Sequence, residues 1–159
     1  MGTRSTIALE YADGTVDQVY CHWDGYIEHN GRILFEHYSD PFKLQQLMDL
    51  GDLSSLGRNI GNEHPFSPHN SEADKIAYDA AMAEGACTFY GRDRGEPGTK
   101  AKRFSSFTAY TLEHQYEEYE YILRQVDGKA VWYVCAYNKG YVPLEGAVAA
   151  AKAREEVAA

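Results

Sequence analysis

The stretch that decides how this chain folds is Val19-Tyr20-Cys21-His22-Trp23-Asp24-Gly25-Tyr26. Its first half alternates in character as a strand with one apolar face does, because successive strand residues point to opposite faces. The face predicted to lie in the core carries Val19, Cys21 and Trp23. The opposite face carries Tyr20 and His22. Asp24-Gly25 then ends the strand, since this dipeptide favours a turn.

Two β-hairpins follow from the alternating segments on either side of Asp-Gly turns. The dipeptides Asp13-Gly14 and Asp127-Gly128 suit tight hairpin connections, because both residue types tolerate positive φ. One further strand, short and apolar, stands alone between the hairpins. The predicted strands cover residues 5–11, 16–23, 87–90, 116–126 and 130–137.

The segments between the hairpins predict helices. Asp40 is a good N-cap with Pro41 at the first helical position, and Ser71 is a second N-cap. The predicted helices cover residues 32–38, 41–50, 71–84 and 144–157. Residues 51–71 are rich in turn formers and predict a long loop.

The fold class predicted from these elements is α+β, with a mostly antiparallel sheet and segregated helices, in a single domain over residues 1–159. The C-terminal helix is rich in alanine and offers little apolar surface. We therefore expect residues 144–159 to be loosely attached to the domain.

The charge balance limits the kinds of partner. The chain has a net charge of −9 and contains 13 tyrosines. A negative field repels DNA and acidic membrane surfaces and suits a basic protein partner. Tyrosine combines a large apolar ring with a polar tip, which makes it common at contact surfaces.

The cysteines and the hydropathy pattern bear on the compartment. The three cysteines are far apart, and none forms a C-x-x-C pair, which predicts buried free thiols in a reducing compartment. No apolar run approaches the ~18 residues of a membrane span. These features predict a cytoplasmic protein.

An acidic, tyrosine-rich segment is the first candidate binding site. Carboxylates spaced along a chain can engage the basic groove of a nucleic-acid-binding protein, and tyrosine supplies anchoring area. The alternative is an ordinary strand with an aromatic inner face and a charged outer face. The candidate partner-binding residues are Glu113, Tyr116, Glu117, Glu118 and Glu120.

A basic, glycine-rich segment at residues 91–103 is the second candidate. Residues 92–103 carry five bases and two acids, and arginine forks bind phosphate well. The segment predicts an anion site, although it equally fits a solvated loop whose Arg92 and Arg94 pair with the acidic body. The candidate anion-binding residues are Arg92, Arg94, Lys100, Lys102 and Arg103.

A third, weaker candidate is a metal or acid–base site at His22 and Asp24, near His29 and His37. A turn cap and surface histidines explain the same residues more simply. No G-x-S-x-G motif is present, and no cysteine stands in a basic setting, so no catalytic residue and no cofactor is predicted.

Several short segments together resemble a family of small bacteriophage and prophage proteins. The resemblance spans most of residues 3–140 and implies a genomic setting, but no activity and no catalytic residue. The segments are Thr3-Arg4-Ser5-Thr6-Ile7-Ala8, Tyr20-Cys21-His22-Trp23-Asp24-Gly25-Tyr26, Leu34 with His37-Tyr38, Leu50-Gly51-Asp52-Leu53-Ser54-Ser55-Leu56-Gly57 and Phe89-Tyr90-Gly91-Arg92-Asp93-Arg94-Gly95-Glu96.

The resemblance implies an accessory role in phage infection, in the cytoplasm of the bacterial host. With the charge map, it leads us to expect a non-enzymatic inhibitor of a host defence protein, such as an anti-CRISPR protein, that binds through its acidic, tyrosine-rich surface. One alternative is a nucleotide-binding sponge that uses the basic segment. Another is a small metal-dependent hydrolase. The sequence alone does not determine the oligomeric state.

Overall fold

One mixed sheet organises the chain in the computed structural model, which describes residues 2–158. Its strands are β1 Ser5–Glu10, β2 Val16–Cys21, β3 Leu53–Ser55, β4 Thr88–Phe89, β5 Lys102–Phe104, β6 Tyr119–Val126, β7 Lys129–Ala136 and β8 Tyr141–Pro143. They lie in the order β4-β3-β2-β1-β6-β7-β8, and β5 pairs with the first half of β2. The α+β prediction is therefore confirmed.

Both predicted hairpins are present as antiparallel pairs, β1 with β2 and β6 with β7. The two hairpins are joined side by side through a parallel pairing of β1 with β6, in which Ser5 lies opposite Tyr119 and Leu9 opposite Leu123. Parallel neighbours need a long crossover connection, and the helices between the hairpins are part of it. The sheet is thus mostly antiparallel, with parallel pairing at β1–β6 and β2–β3.

Helices occupy the segments where capping residues predicted them. Asp40 accepts a hydrogen bond from the Phe42 N–H at 3.0 Å, and Ser71 accepts one from the Asp74 N–H at 3.0 Å. The helices are α1 Arg32–His37, α2 Pro41–Leu50, α3 Glu72–Ala83, α4 Tyr90–Arg94, α5 Phe107–Glu113 and α6 Leu144–Ala158, and a π-helical turn at Ile27–Gly31 precedes α1. Among residues 2–158, no helix is both long enough and apolar enough to cross a membrane.

The core lies on both faces of the sheet. The larger cluster is under α1, α2 and α6 and includes Ile7, Leu9, Val19, Cys21, Tyr121, Leu123, Trp132 and Val134. The smaller cluster, on the other face, is covered by α5 and includes Ala8, Val16, Phe104, Tyr110 and Ile122. The central strand β1 is therefore buried throughout, which explains why its six residues are nearly all uncharged.

The prediction that Trp23 belongs to the core is wrong. β2 ends at Cys21, so the alternation that places Val19 and Cys21 in the core does not extend to Trp23. The Trp23 side chain is 43% exposed and lies edge-on against the His22 ring. The residue belongs to the turn at the end of the strand.

Short strands and helical turns interrupt the segments predicted as loops. β3 lies within residues 51–71, whereas α4 and β5 overlap the two ends of residues 91–103. β3 pairs with β2 only through Leu53 opposite Cys21. Such short strands form because a neighbouring edge supplies hydrogen bonds, so local propensity carries little signal for them.

Helix α6 packs against the body more firmly than the sequence led us to expect. Leu144, Val148 and Ala151 are buried on the larger core cluster and its edge. Lys152 bonds Glu36 at 2.9 Å, and Arg154 contacts Glu28 at 3.3 Å. This packing differs from the loose attachment predicted for residues 144–159, of which Ala159 lies outside the described residues.

Candidate functional site

The register of the sheet brings the ends of four neighbouring strands to the same end of the sheet. Ser5 lies opposite both Cys21 and Tyr119, and Tyr119 lies opposite Ala136. The starts of β1 and β6 and the ends of β2 and β7 therefore lie at the same end of the sheet. The residues that extend from it form what we call the sheet-end surface: Trp23, Tyr116, Glu117, Glu118 and Tyr137.

Large aromatic rings are exposed on the sheet-end surface. Tyr116 is 53% exposed and Tyr137 is 58% exposed, beside the partly exposed Trp23. Isolated exposed aromatics are common in proteins, and here three of them lie at the same end of one sheet. Aromatic residues of this kind are enriched where proteins bind one another.

The acidic groups of this surface are held in a fixed segment. Glu117 accepts a hydrogen bond from the Gln115 side chain at 2.8 Å, and the Glu118 carbonyl accepts one from the Tyr137 N–H at 2.8 Å. Burial, the hydrogen bond with Tyr137 and the Glu28 and Glu118 carboxylates together raise the pKa of Tyr119 to about 12. Glu113 is exposed at the end of α5, one residue before the buried His114.

Glu120 does not belong to this surface, and its prediction as an exposed partner-binding residue is wrong. It is 1% exposed, pairs with Nε2 of His114, and accepts a hydrogen bond from the Tyr141 hydroxyl at 3.4 Å. Nδ1 of His114 donates to the Tyr110 carbonyl at 2.6 Å. The exposed Tyr116 ring packs against the His114 ring at a tilt of 49°, with 4.3 Å between the ring centroids, so the buried pair supports the segment that carries Tyr116.

The basic side chains of residues 91–103 contact different parts of the molecule. Arg92 donates to the Ile60, Gly61 and Cys87 carbonyls at 2.9–3.2 Å and pairs with the buried Asp93, so its prediction as an anion-binding residue is not supported. Arg94 pairs with Glu96 at 2.8 Å.

The remaining bases also form no common site. Arg103 forks onto Asp17 through two bonds of 2.9 Å, while Lys100 and Lys102 are exposed on the chain leading into and through β5. The alternative, in which Arg92 and Arg94 pair with the acidic body, is not followed either, because their acidic partners Asp93 and Glu96 lie within the segment itself. It is Arg103 that reaches an acid of the body, Asp17. The observed contacts give no convergent anion site.

The predicted weak metal candidates do not converge either. Nδ1 of His22 contacts the Tyr20 hydroxyl at 2.7 Å, which confirms that both side chains share the face opposite the core. Asp24 lies in the turn, with φ of 58°, and lines a cleft with His29 and His37. Nowhere in residues 2–158 do three histidine, cysteine or acidic side chains come close enough to hold a metal ion.

The three cysteines are buried free thiols, as predicted. Burial raises the pKa of the Cys21 thiol to about 12, and burial also raises the pKa of Cys87 and Cys135. A thiol reacts as the thiolate, so these groups are poor nucleophiles.

We expect the native protein at pH 8 to react with a thiol reagent such as dithionitrobenzoate only slowly, and all three thiols to react rapidly in denaturant. Absorbance at 412 nm follows the released thiolate. Fast labelling of one thiol in the native protein, at the rate of a free cysteine, would contradict this assignment.

Sequence reasoning missed the buried pair of His114 and Glu120, although one signal for it was present. Tyr121, Ile122 and Leu123 are three consecutive large side chains, and an uninterrupted run of this kind is typical of a strand buried on both faces. Glu120 shares its face with Ile122, so it was a candidate for burial rather than for the surface.

No family model, no curated protein and no solved structure matches this chain.

Proposed function

We propose that this protein acts by binding a partner protein through the sheet-end surface, and that the partner presents a basic face. The observation that supports the proposal is the grouping of Trp23, Tyr116 and Tyr137 with the Glu117 and Glu118 carboxylates at one end of the sheet. Aromatic rings provide the apolar contact area, while carboxylates provide complementarity to lysine and arginine.

The packing of the segment that carries Tyr116, Glu117 and Glu118 favours its use as a binding surface. The segment between α5 and β6 is tied down by His114, whose ring lies between the rings of Tyr110 at 4.5 Å and Tyr116 at 4.3 Å. A surface ordered before binding loses little conformational entropy when the partner arrives.

We further propose that the partner is a host defence protein that uses its basic face to bind nucleic acid, and that this protein inhibits it. The resemblance to phage proteins supports a role in an infected bacterial host, and the net charge of −9 supports attraction to a basic partner. The acidic surface would then compete with nucleic acid for the same groove. Inhibition requires no catalytic group.

The experiment is size-exclusion chromatography of the protein mixed with a panel of bacterial defence effectors, including CRISPR nucleases and restriction enzymes, with and without their nucleic acid. We expect a complex with one effector, lost when that effector is already bound to nucleic acid. Reversing two charges in Glu117→Lys/Glu118→Lys should weaken binding at least tenfold, because like charges then face the basic partner.

The matched control is Glu72→Lys/Glu84→Lys, which makes the same change of net charge at the two ends of helix α3, at Glu72 inside its first turn and at the C-cap Glu84, where both residues are exposed. This control should reduce the affinity far less, because it weakens only the long-range electrostatic attraction between the two proteins. Tyr116→Ala tests the aromatic contribution and should weaken binding without charge reversal. Equal losses in the two charge variants, or no complex with any effector, would contradict the proposal.

A further inference from the structure

The cleft lined by Asp24, His29 and His37 begins at the turn that also carries Trp23. It has a volume of about 390 Å³ and lies between the turn after β2 and the connection from β3 to β4. Asp24, His29, His37 and Arg58 provide its polar wall, and Ile33 and Met82 contribute apolar area. Clefts of this volume, with a few polar groups on a partly apolar wall, are typical of small-molecule sites.

The backbone around this cleft has two unusual features. His29 lies in the π-helical turn Ile27–Gly31, and Asp24 has φ of 58°, in the left-handed region that aspartate tolerates better than most other residues. The Asn30 N–H donates to the Asp24 carbonyl at 3.2 Å, so the two features brace each other. π-helical turns of this kind are frequent at functional sites.

The buried Asn30 side chain determines which nitrogen of His29 carries the proton. Nδ2 of Asn30 donates to the Trp23 carbonyl at 3.2 Å, which orients the amide because a carbonyl can only accept. Oδ1 of Asn30 then faces Nδ1 of His29 at 2.9 Å, so Nδ1 must be the donor. In the neutral ring the lone pair is therefore on Nε2, on the side of the ring away from Asn30.

Arg58 brings an unused cation to the same cleft. Its guanidinium makes no hydrogen bond and no ion pair with any residue of the described chain. The side chain nevertheless lies close over Gly85, where an added Cβ would meet its Nη1, Cγ and Cζ atoms at 2.7–2.8 Å. Packing therefore restricts this arginine while its N–H groups remain free to bind a phosphate.

The polar wall combines the Arg58 cation with two hydrogen-bond acceptors, Asp24 and His29, beside the His37 imidazole. Arg58 suits an anion, whereas the Asp24 carboxylate and Nε2 of His29 accept hydrogen bonds from hydroxyl or amino groups. A metal ion does not fit, since no three ligands converge and Arg58 would repel it. A ligand that satisfies both halves has a phosphate at one end and donor groups at the other.

We propose that this cleft binds a nucleoside monophosphate, with the phosphate on Arg58 and the sugar hydroxyls on Asp24 and His29. The cleft volume suits a ligand of this size. This site is distinct from residues 91–103, whose arginines are engaged elsewhere, and from the sheet-end surface proposed to bind protein.

The test is isothermal titration calorimetry with the four ribonucleoside 5′-monophosphates, with adenosine and inorganic phosphate as probes of each half. At least one monophosphate should bind more tightly than either probe. Arg58→Gln should weaken that binding roughly tenfold to hundredfold, the range for losing charge-assisted hydrogen bonds. The matched control Arg94→Gln removes another exposed arginine and should leave the affinity unchanged.

A second measurement examines His29 without any ligand. Long-range ¹H–¹⁵N spectra of the native protein distinguish the two neutral tautomers, and we expect His29 to carry its proton on Nδ1. Addition of the monophosphate should shift the Nε2 resonance. A proton on Nε2, no binding by any monophosphate, or equal binding by the Arg58→Gln variant would each overturn the proposal. Glu117→Lys/Glu118→Lys should not alter nucleotide binding, which separates this site from the protein-binding surface.

Discussion

Replacing Glu120 with alanine should lower the free energy of unfolding by about 3–5 kcal/mol, the usual loss when one member of a buried ionisable pair is removed. The substitution leaves Nε2 of His114 without its partner in a place where water cannot replace it. It also leaves a cavity beside Tyr141. His114→Ala should cost a similar amount, because it strands the Glu120 carboxyl.

Urea unfolding followed by circular dichroism measures this effect, with Glu118→Ala as the control. Glu118 is two residues away and only partly buried, so its loss should change stability by less than about 0.5 kcal/mol. The double variant Glu120→Ala/His114→Ala should lose less than the sum of the single losses, because the two side chains interact directly. A Glu120→Ala protein as stable as Glu118→Ala would show that the pair does not hold the fold.

The pair has a positional role as well. One carboxyl oxygen of Glu120, Oε2, has no hydrogen-bond partner among the described residues, and an unsatisfied buried oxygen is costly. Replacing both members of such a buried pair by well-packed apolar residues is often neutral or stabilising, unlike removal of one member alone. Here the pair holds the segment that carries Tyr116, Glu117 and Glu118, so a stable apolar replacement should still alter the sheet-end surface.

Asp93→Ala should also be destabilising by about 3–5 kcal/mol, because the carboxylate is the centre of a buried network. It accepts hydrogen bonds from the His64 N–H at 3.1 Å and the Phe89 N–H at 2.7 Å. It also pairs with Arg92 at 3.0 Å. Its removal leaves two backbone donors and a guanidinium without their acceptor.

Thermal unfolding of Asp93→Ala, Arg92→Ala and Arg94→Ala provides the comparison. Arg92 lies over the Phe89 ring and bonds three backbone carbonyls, so its loss should resemble that of Asp93. Arg94 is exposed, pairs with Glu96 and lies over the Phe66 and Tyr90 rings, so its loss should cost about 1–2 kcal/mol, less than the loss of Arg92. Equal stability of the Arg92→Ala and Arg94→Ala variants would contradict the structural role of Arg92.

The elements predicted from the sequence depended on local signals, and these were sufficient where a signal is strong. The Asp-Gly turns at residues 13–14 and 127–128 located both hairpins, and Asp40 and Ser71 located two helix starts. The short strands β3, β5 and β8 were missed because their hydrogen bonds come from neighbours distant in the sequence. The parallel pairing of β1 with β6 was missed for the same reason.

The structure departs further from the predicted candidate sites than from the predicted fold. By its sequence alone, this protein is an acidic, tyrosine-rich α+β domain with its two hairpins, its caps and its buried thiols, because side-chain periodicity and turn chemistry act over a few residues. Tertiary structure decided that Glu120 and Arg92 are interior groups and that Trp23 is exposed. It also placed Asp24, His29 and Arg58 around one cleft. A charged residue has the same local pattern whether it faces water or a partner distant in the sequence, so only the packed chain distinguishes the two.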